Sequence, residues 1–216
     1  VVGCLASRHY FDCNKNISNG LVHVESGLRS YDRSMPEEIN RIIIDHNSDI
    51  LFVPTAHQKK NLLKENLKKK KIYIVGNTIS DSIKIIRPVP FLSKNNLNYL
   101  LVTFHRHELL ESKYRLKKLI NSLNKISEEL NTKILIPMHP RTKKKIWSLK
   151  YIISSNIKII KPTKYKDFLN LILNSNLVLS DSGGLQEECC ILKKMHITLR
   201  LNTERPETIL IGSNYL

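Results

Sequence analysis

The chain is 216 residues long, 41% hydrophobic and 25% charged, with a formal net charge of +16. Such a composition is typical of a globular protein, and no apolar run reaches the ~18–20 residues of a membrane-spanning helix. The charge alone would suit nucleic acid, but the lysine runs at 68–71 and 143–145 lack interleaved aromatic residues, which favours a solvated basic surface and predicts no nucleic-acid or membrane partner.

The first part of the chain alternates short apolar runs with helical patterns. Strands are predicted at 21–24, 50–54 and 72–75. Helices are predicted at 36–46, 55–66 and 77–86. Pro36 suits the first turn of its helix, and Thr55 suits the N-cap of the next one. Residues 87–96, which contain two prolines and two asparagines, are predicted to form a linker.

The second part repeats the alternation. Strands are predicted at 99–103, 133–136, 157–160, 177–180 and 197–199. Helices are predicted at 112–130, after Thr142, at 165–173 and from 185 to 193. This β/α alternation predicts an α/β protein with two parallel sheets covered by helices. The linker then divides the chain into domains at 1–90 and 91–216.

Ser180-Asp181-Ser182-Gly183-Gly184-Leu185-Gln186-Glu187-Glu188 is the most informative motif. A strand ends here and a helix begins at once, so two glycines and free N–H groups at a helix start indicate a phosphate site. Glu188, one turn into the helix, could accept hydrogen bonds from ribose hydroxyls. The alternative is a tight strand–helix turn whose glutamates complement the helix dipole.

A second candidate is Arg205, which follows the last predicted strand. Its planar guanidinium suits bidentate contact with a phosphate or carboxylate. A surface ion pair with Glu204 or Glu207 explains the same residues equally well.

The segments His23–Arg29 and Met35–Arg41 carry candidate proton-transfer groups. Glu25 directly follows a strand, at the sheet edge where ligands bind in such folds. Glu25 and Glu37 could transfer protons, with Arg29 or Arg41 holding a charge in place. Because acidic residues also favour a helix N-terminus, Glu38 is interpreted as structural only.

His105, just after the strand at 99–103, could donate to a phosphate or move a proton. The four cysteines form no regular framework and two of them are adjacent, which favours a reducing cytoplasm. Because the chain has no Cys-x-x-Cys pair, no metal site is expected.

Seven ordered segments, HVESGLRS, MPEEINR, VGNTISD, LVTFHRHE, IPMHPRTKK, SDSGGLQEE and LNTERPE, together resemble the non-hydrolysing UDP-N-acetylglucosamine 2-epimerases. The resemblance implies two Rossmann-like domains in a GT-B-like architecture, with the N-terminal domain incomplete. It implies epimerisation at C2 through elimination and re-addition of UDP, without metal, nicotinamide or other cofactor. It further implies a UDP-N-acetylhexosamine substrate, a homodimer in the full-length form, and a cytoplasmic role in polysaccharide biosynthesis.

The same resemblance implies roles for single residues. The catalytic candidates are Glu25, Glu37 and His105, with His105 near the diphosphate. The implied substrate-binding residues are Arg41, Thr163, Phe168, Ser182, Gly183, Gly184, Glu188 and Arg205. Among these, Phe168 would stack on uracil and the backbone of Thr163 would pair with its edge, while Arg205 would contact the diphosphate.

The chain also departs from the family pattern. It begins at Val1 rather than Met, which predicts a partial chain, and the family's Gly-Asp-Thr segment is expected near Gly3 and Cys4. A cysteine there could not replace a carboxylate poised near neutral pH. A non-catalytic UDP-sugar-binding remnant and a hydrolysing 2-epimerase are therefore the alternatives to an active epimerase.

Overall fold

The computed structural model describes residues 2–13, 20–90, 98–149 and 151–216. These residues divide into two compact units, each with its own parallel sheet. Unit 1 comprises 1–81 together with 202–207, and unit 2 comprises 82–201 together with 208–216. The segment 202–207, which follows the last predicted strand, belongs to unit 1. The predicted domains at 1–90 and 91–216 place that segment in the second domain. The predicted linker at 87–96 falls partly outside the described residues.

Unit 1 contains a three-stranded sheet in the order β1-β2-β3, with every pair parallel. Its strands are β1 (Val22–Val24), β2 (Ile50–Val53) and β3 (Lys71–Ile74). Its helices are α1 (Val2–Cys13), α2 (Pro36–Asn47), α3 (Ala56–Lys64) and the start of α4 (Thr78–Ile86), with a 3-10 turn at Leu67–Lys69. Pro36 occupies the first turn of α2, and Thr55 caps α3 by accepting a hydrogen bond from the His57 N–H at 3.1 Å.

The core of unit 1 lies on one face of this sheet. Leu51 and Val53 of β2 are fully buried there against Leu62 of α3 and Leu67 of the 3-10 turn. Strand residues alternate between faces, so Val22 and Val24 of β1 point to the opposite face, where they are 43% and 49% exposed. Burial of the first face therefore fixes the register of the sheet.

Unit 2 contains a six-stranded parallel sheet in the order β6-β5-β4-β7-β8-β9. Its strands are β4 (Tyr99–Thr103), β5 (Lys133–Pro137), β6 (Ile157–Ile160), β7 (Leu177–Ser180), β8 (His196–Thr198) and β9 (Asn214–Tyr215). Its helices are α5 (His107–Leu110), α6 (Lys113–Glu129), α7 (Pro140–Ser148), α8 (Tyr165–Asn174), α9 (Gly183–Ile191) and the end of α10 (Pro206–Leu210). The chain order reverses beside β4, which places β4 and β7 side by side.

Strand β4 lies in the interior of unit 2. Leu101 and Val102 are fully buried, as expected for a central parallel strand with helices on both faces. Burial raises the pKa of the neighbouring Tyr99 to about 12, and its hydroxyl donates a hydrogen bond to the Leu171 carbonyl at 2.6 Å. Leu116 and Leu123 of α6 pack on this sheet without exposure.

The predicted strands are confirmed as β1 to β8, each within one residue of its expected ends. The helix expected after Thr142 begins earlier, at Pro140, because proline is well suited to the first helical turn. The sequence analysis did not predict α1, α5, α10 or β9. Within the described part of the chain, no helix has both the length and the apolarity to cross a membrane.

Candidate functional site

The loop after β1 begins with a backbone conformation that is unusual for a residue with a side chain. Glu25 has a φ of 65°, in the left-handed region that glycine favours. Ser26 anchors the loop by donating hydrogen bonds from its N–H and its Oγ to the Phe52 carbonyl, both at 3.0 Å. At Gly27, whose φ is 79°, an added Cβ would lie 2.6 Å from the Gln58 carbonyl oxygen. The loop is therefore tightly held, and such strain is common at functional sites.

Glu25 pairs with an arginine from the segment 202–207, which belongs to the same unit. Arg205 Nη2 lies 2.9 Å from Glu25 Oε1, and Arg205 Nη1 lies 2.9 Å from Glu204 Oε1. Arg41 Nη2 approaches the same Glu204 oxygen at 3.4 Å. The Glu25 side chain remains 41% exposed whereas that of Arg205 is 6% exposed. The sequence had suggested an ion pair of Arg205 with Glu204, and the structure adds Glu25 to it.

A buried group of charged side chains centred on Arg29 supports the same loop. The guanidinium contacts Asp45 Oδ2 at 2.8 Å and the two carboxylate oxygens of Glu65 at 2.6 and 2.7 Å. Asp45 also accepts a hydrogen bond from the Gly27 N–H at 3.1 Å and lies 2.6 Å from His23 Nδ1. Burial lowers the pKa of Arg29, but interactions with Glu65 and Asp45 raise it overall. Arg29, a candidate for holding a substrate charge, is instead occupied in supporting the loop.

The neighbouring glutamates Glu37 and Glu38 have different environments. The interpretation of Glu38 as merely favouring a helix start is incomplete, because its carboxylate is 1% exposed and accepts three hydrogen bonds. They come from the Ser30 N–H at 2.8 Å, the Ser30 hydroxyl at 3.0 Å and the Tyr31 N–H at 3.0 Å. Glu37, in the same first turn of α2, is exposed. Glu38 therefore shapes the loop, and Glu37 is open to solvent.

In unit 2, His105 follows β4 and contacts a buried aspartate that follows β7. Asp181 Oδ2 accepts hydrogen bonds from the backbone N–H groups of His105 and Arg106 at 2.9 and 2.8 Å. Asp181 Oδ1 lies 3.2 Å from His105 Nδ1. The His105 side chain is 67% exposed and that of Asp181 is 1% exposed. The histidine thus projects outward from a buried carboxylate.

The glycine-rich turn after β7 forms the N-terminus of α9. Ser182 is the N-cap residue, and its side chain makes no capping hydrogen bond to the helix. Gly183 and Gly184 are the first helical residues, and Gly183 is buried. The first N–H groups of a helix have no intrahelical partner and carry partial positive charge. This turn therefore has the backbone geometry of an anion site.

Glu188 lies further along α9 and has a partner on α8. Tyr165 donates a hydrogen bond from its hydroxyl to Glu188 Oε1 at 2.7 Å. Burial raises the pKa of Glu188, an effect that the Tyr165 hydroxyl partly offsets. Phe168, one turn after Tyr165, is half-buried, and Thr163 is exposed in the loop before α8. The structure thus brings the α8 segment to the same carboxylate that was expected to bind ribose.

Three further expectations concern metals and cysteines. No group of three or more His, Cys, Asp and Glu side chains in the described residues is arranged to hold a metal ion. Cys4, Cys189 and Cys190 are free thiols, and the Cys13 side chain lies outside the described part. Cys4 lies in the first turn of α1. The expected match of Gly3 and Cys4 to a Gly-Asp-Thr segment stays a prediction.

The comparisons with known proteins agree on one family. The family model described as UDP-N-acetylglucosamine 2-epimerase matches residues 16–216. The UDP-N-acetylglucosamine 2-epimerase of Methanocaldococcus jannaschii is 46% identical over 212 residues, covering 91% of this chain and 57% of the relative. The UDP-N-acetylglucosamine 2-epimerase of Methanococcus maripaludis is 47% identical over 208 residues, which cover 90% of this chain and 57% of that relative. The chain therefore belongs to the UDP-N-acetylglucosamine 2-epimerase family.

A solved structure extends this similarity to the fold. The crystal structure of the M. jannaschii UDP-GlcNAc 2-epimerase in complex with UDP-GlcNAc and UDP has a TM-score of 0.83 and 43% sequence identity. The match covers 99% of this chain and 61% of that chain. The expected family and the α/β class with parallel, Rossmann-like sheets in GT-B-like proteins are thus confirmed. The chain spans about three fifths of the length of these relatives.

Sequence reasoning missed Asp181, Asp45 and Tyr165. Asp181 stands inside a motif that was singled out, directly after a buried strand, which is the position that made Glu25 a candidate. The same signal therefore points to Asp181. For Asp45 and Tyr165 the chain offers no comparable signal, because their partners are distant in sequence.

Proposed function

We propose that the protein containing this chain is a non-hydrolysing UDP-N-acetylglucosamine 2-epimerase. It interconverts UDP-N-acetylglucosamine and UDP-N-acetylmannosamine by inverting C2 of the sugar. Membership of the family and 43% identity to an enzyme crystallised with UDP-GlcNAc and UDP support the proposal. The observation that carries it is the exposed Glu25 carboxylate, held at a strand end in a strained conformation and paired with Arg205.

The UDP part of the substrate is assigned to unit 2. Gly183 and Gly184 present backbone N–H groups at the start of α9, which suit the diphosphate. Ser182 would contribute its side-chain hydroxyl, because its own N–H donates to Ser180 Oγ at 3.0 Å. His105 adds a donor from the loop after β4, and Glu188 accepts from ribose hydroxyls. Uracil would stack on the Phe168 ring, and its edge would pair with the Thr163 backbone.

Proton transfer at the sugar is assigned to Glu25 and Glu37, with Arg41 nearby. One carboxylate removes the C2 proton while the bond from C1 to the UDP oxygen breaks, which gives a glycal and free UDP. A proton then returns to the opposite face of C2, and the UDP oxygen re-forms the bond to C1. Arg205, which is expected to contact the diphosphate, is paired with Glu25 and Glu204 in the structure.

Proton NMR of UDP-GlcNAc incubated in D₂O with the complete protein encoded by the gene tests this function. The expected result is UDP-ManNAc together with deuterium at C2 of both sugars. Release of free ManNAc and UDP would show a hydrolysing enzyme instead. Calorimetric binding of UDP without turnover would show the non-catalytic remnant, and the absence of both turnover and binding would refute a nucleotide-sugar function.

We further propose that the full-length protein is a cytoplasmic homodimer that serves polysaccharide biosynthesis and binds no nucleic acid. Lys68 and Lys69 are exposed at the end of a 3-10 turn, and Lys143 Nζ lies 4.2 Å from the centre of the Trp147 ring. These environments support the interpretation of the two lysine runs as solvated surface. Light scattering would test the dimer. Salt-dependent binding to random duplex DNA would contradict the proposal that the protein binds no nucleic acid.

A further inference from the structure

We propose that Asp181 is the positioning residue for His105, fixing which imidazole nitrogen faces the substrate. This inference rests on the proposed function, because it assigns His105 a ligand. Asp181 does not itself reach outward, since its side chain is 1% exposed. It acts through the histidine that it holds.

The position of Asp181 follows from the strand order. β4 and β7 are parallel neighbours, with Thr103 opposite Ser180 and their hydroxyl oxygens 2.8 Å apart. The residues that follow the two strands therefore emerge at the same sheet edge. Arg106 Nε also donates to the Asp181 carbonyl at 3.1 Å, so the backbone and a side chain of the loop after β4 both donate to Asp181.

The two oxygens of Asp181 serve different parts of His105. Oδ2 accepts the backbone N–H groups of His105 and Arg106, at 2.9 and 2.8 Å, which sets the path of the loop. Oδ1 lies 3.2 Å from the ring nitrogen Nδ1. This contact is an ion-pair distance that does not meet hydrogen-bond geometry. The negative charge beside Nδ1 nevertheless favours the form of the ring that carries its proton there, which leaves Nε2 available to a ligand. In the charged imidazole, Nε2 donates to an oxyanion such as a diphosphate.

The charges around His105 act in opposite directions. Interaction with Asp181 raises the pKa of His105, while partial burial and the adjacent Arg106 lower it, and the net direction is upward. Burial would raise the pKa of Asp181, but His105 and the two backbone N–H groups lower it overall. Among the described side chains, the aspartate and Arg106 are the charged groups that act on this histidine.

Nitrogen-15 NMR of the imidazoles in the complete protein tests the proposal, with His105→Gln used to assign the signal. In the wild-type chain, neutral His105 is expected to carry its proton on Nδ1, with a pKa above 6.5. Asp181→Asn keeps an oxygen that can accept the backbone N–H groups but removes the charge beside Nδ1. The variant is expected to lower the pKa of His105 and to move the neutral-state proton to Nε2.

Glu129→Gln is the matched control, because Glu129 is an exposed carboxylate of the same unit whose partner is Lys125. It should leave the His105 signal unchanged. In the complete protein, Asp181→Asn should lower kcat for UDP-GlcNAc about 10- to 100-fold, a fraction of what general acid–base groups contribute, with a smaller change in KM.

Two results would overturn the proposal. One is a wild-type His105 whose neutral form is protonated on Nε2, a measurement that does not depend on any variant folding. The other is a folded Asp181→Asn chain with unchanged tautomer and pKa, which would leave Asp181 a loop anchor only. Failure of the wild-type protein to turn over UDP-GlcNAc refutes the proposed function instead, and the two NMR signatures still decide the Asp181–His105 pairing.

Discussion

The loops after β1 and after β4 are built in the same way and differ in what holds their exposed group. Each places a titratable side chain outward, Glu25 in one and His105 in the other, 41% and 67% exposed. In each loop, backbone N–H groups donate hydrogen bonds to a buried carboxylate. That carboxylate is Glu38 for the loop after β1 and Asp181 for the loop after β4. Asp181 also reaches the exposed group itself, whereas Glu25 is held by Arg205.

This difference separates carboxylates that shape a loop from those that are free to react. Glu38 is fully used by its three hydrogen bonds, so removing it should affect folding. Glu25 has one cationic partner and an open surface, so removing it should affect chemistry. Sequence position alone does not distinguish them, because all these residues lie at strand ends or helix starts.

The largest expected effect is on turnover in Glu25→Gln. Because Glu25 is a proposed proton-transfer group, the complete protein should lose about 10²- to 10⁴-fold in UDP-GlcNAc turnover, followed by proton NMR. Folding should persist, since Arg205 keeps its pair with Glu204. Glu129→Gln should turn over substrate at the wild-type rate. A Glu25→Gln rate within threefold of wild type would remove Glu25 from the mechanism.

The second prediction contrasts two adjacent glutamates. Glu38→Gln should lower the free energy of unfolding by about 1–3 kcal/mol, because an amide cannot accept all three buried hydrogen bonds. Glu37→Gln, at an exposed position of the same helical turn, should change it by less than about 0.5 kcal/mol. Urea unfolding of the complete protein measures both. Equal losses in the two variants would contradict the separation of roles.

The third prediction concerns the hydroxyl that reaches Glu188. Tyr165→Phe should weaken UDP binding about fivefold, equivalent to one lost hydrogen bond of ~1 kcal/mol, because the carboxylate is no longer oriented. Tyr151→Phe is the control, since Tyr151 donates to the Lys113 carbonyl at 3.1 Å, away from Glu188. Calorimetry compares the two. Tighter UDP binding by Tyr165→Phe would mean that the hydroxyl competes with ribose.

The smallest expected effect is a pH dependence of stability from the Asp181–His105 pair. The pKa of His105 is raised above 6.5, so its contribution is complete below pH 6.5 and is lost as the pH rises through the raised value. The pKa of Asp181 is lowered below 3.8, so its contribution is lost as the pH falls through that lowered value. The stability difference between wild type and His105→Gln should therefore be greatest between pH 4 and pH 6.5. A difference that grows above pH 8 would contradict this sign.

Most of the fold was predictable because the strands of a parallel sheet are short apolar runs bounded by turn residues. The exceptions have physical reasons. In α1 the residues Gly3 and Cys4 give no start signal, and the helix is attached by the long-range ion pair of Arg8 with Asp49 at 2.6 Å. β9 has only two residues, too few for a periodic pattern.

The candidate site was predictable only in part. Residues that follow strands can be identified from sequence, and Glu25, His105 and Ser182 were found in this way. Which strands are neighbours cannot be identified so directly, and the pairing of β4 with β7 is what brings Asp181 to His105 across 76 positions. Arg205 and Glu25 are separated by 180 positions, so their ion pair could not be predicted from the sequence either.

The left-handed backbone at Glu25 makes that position energetically unfavourable for the residue it carries. Glycine would occupy the same φ of 65° without steric conflict, whereas a residue with a Cβ pays a conformational penalty of about 1 kcal/mol or more. The carboxylate of Glu25 is thus presented at a conformational cost. Glu25→Gly would relieve that cost, but it would also remove the partner of Arg205 and, under the proposed function, a proton-transfer group.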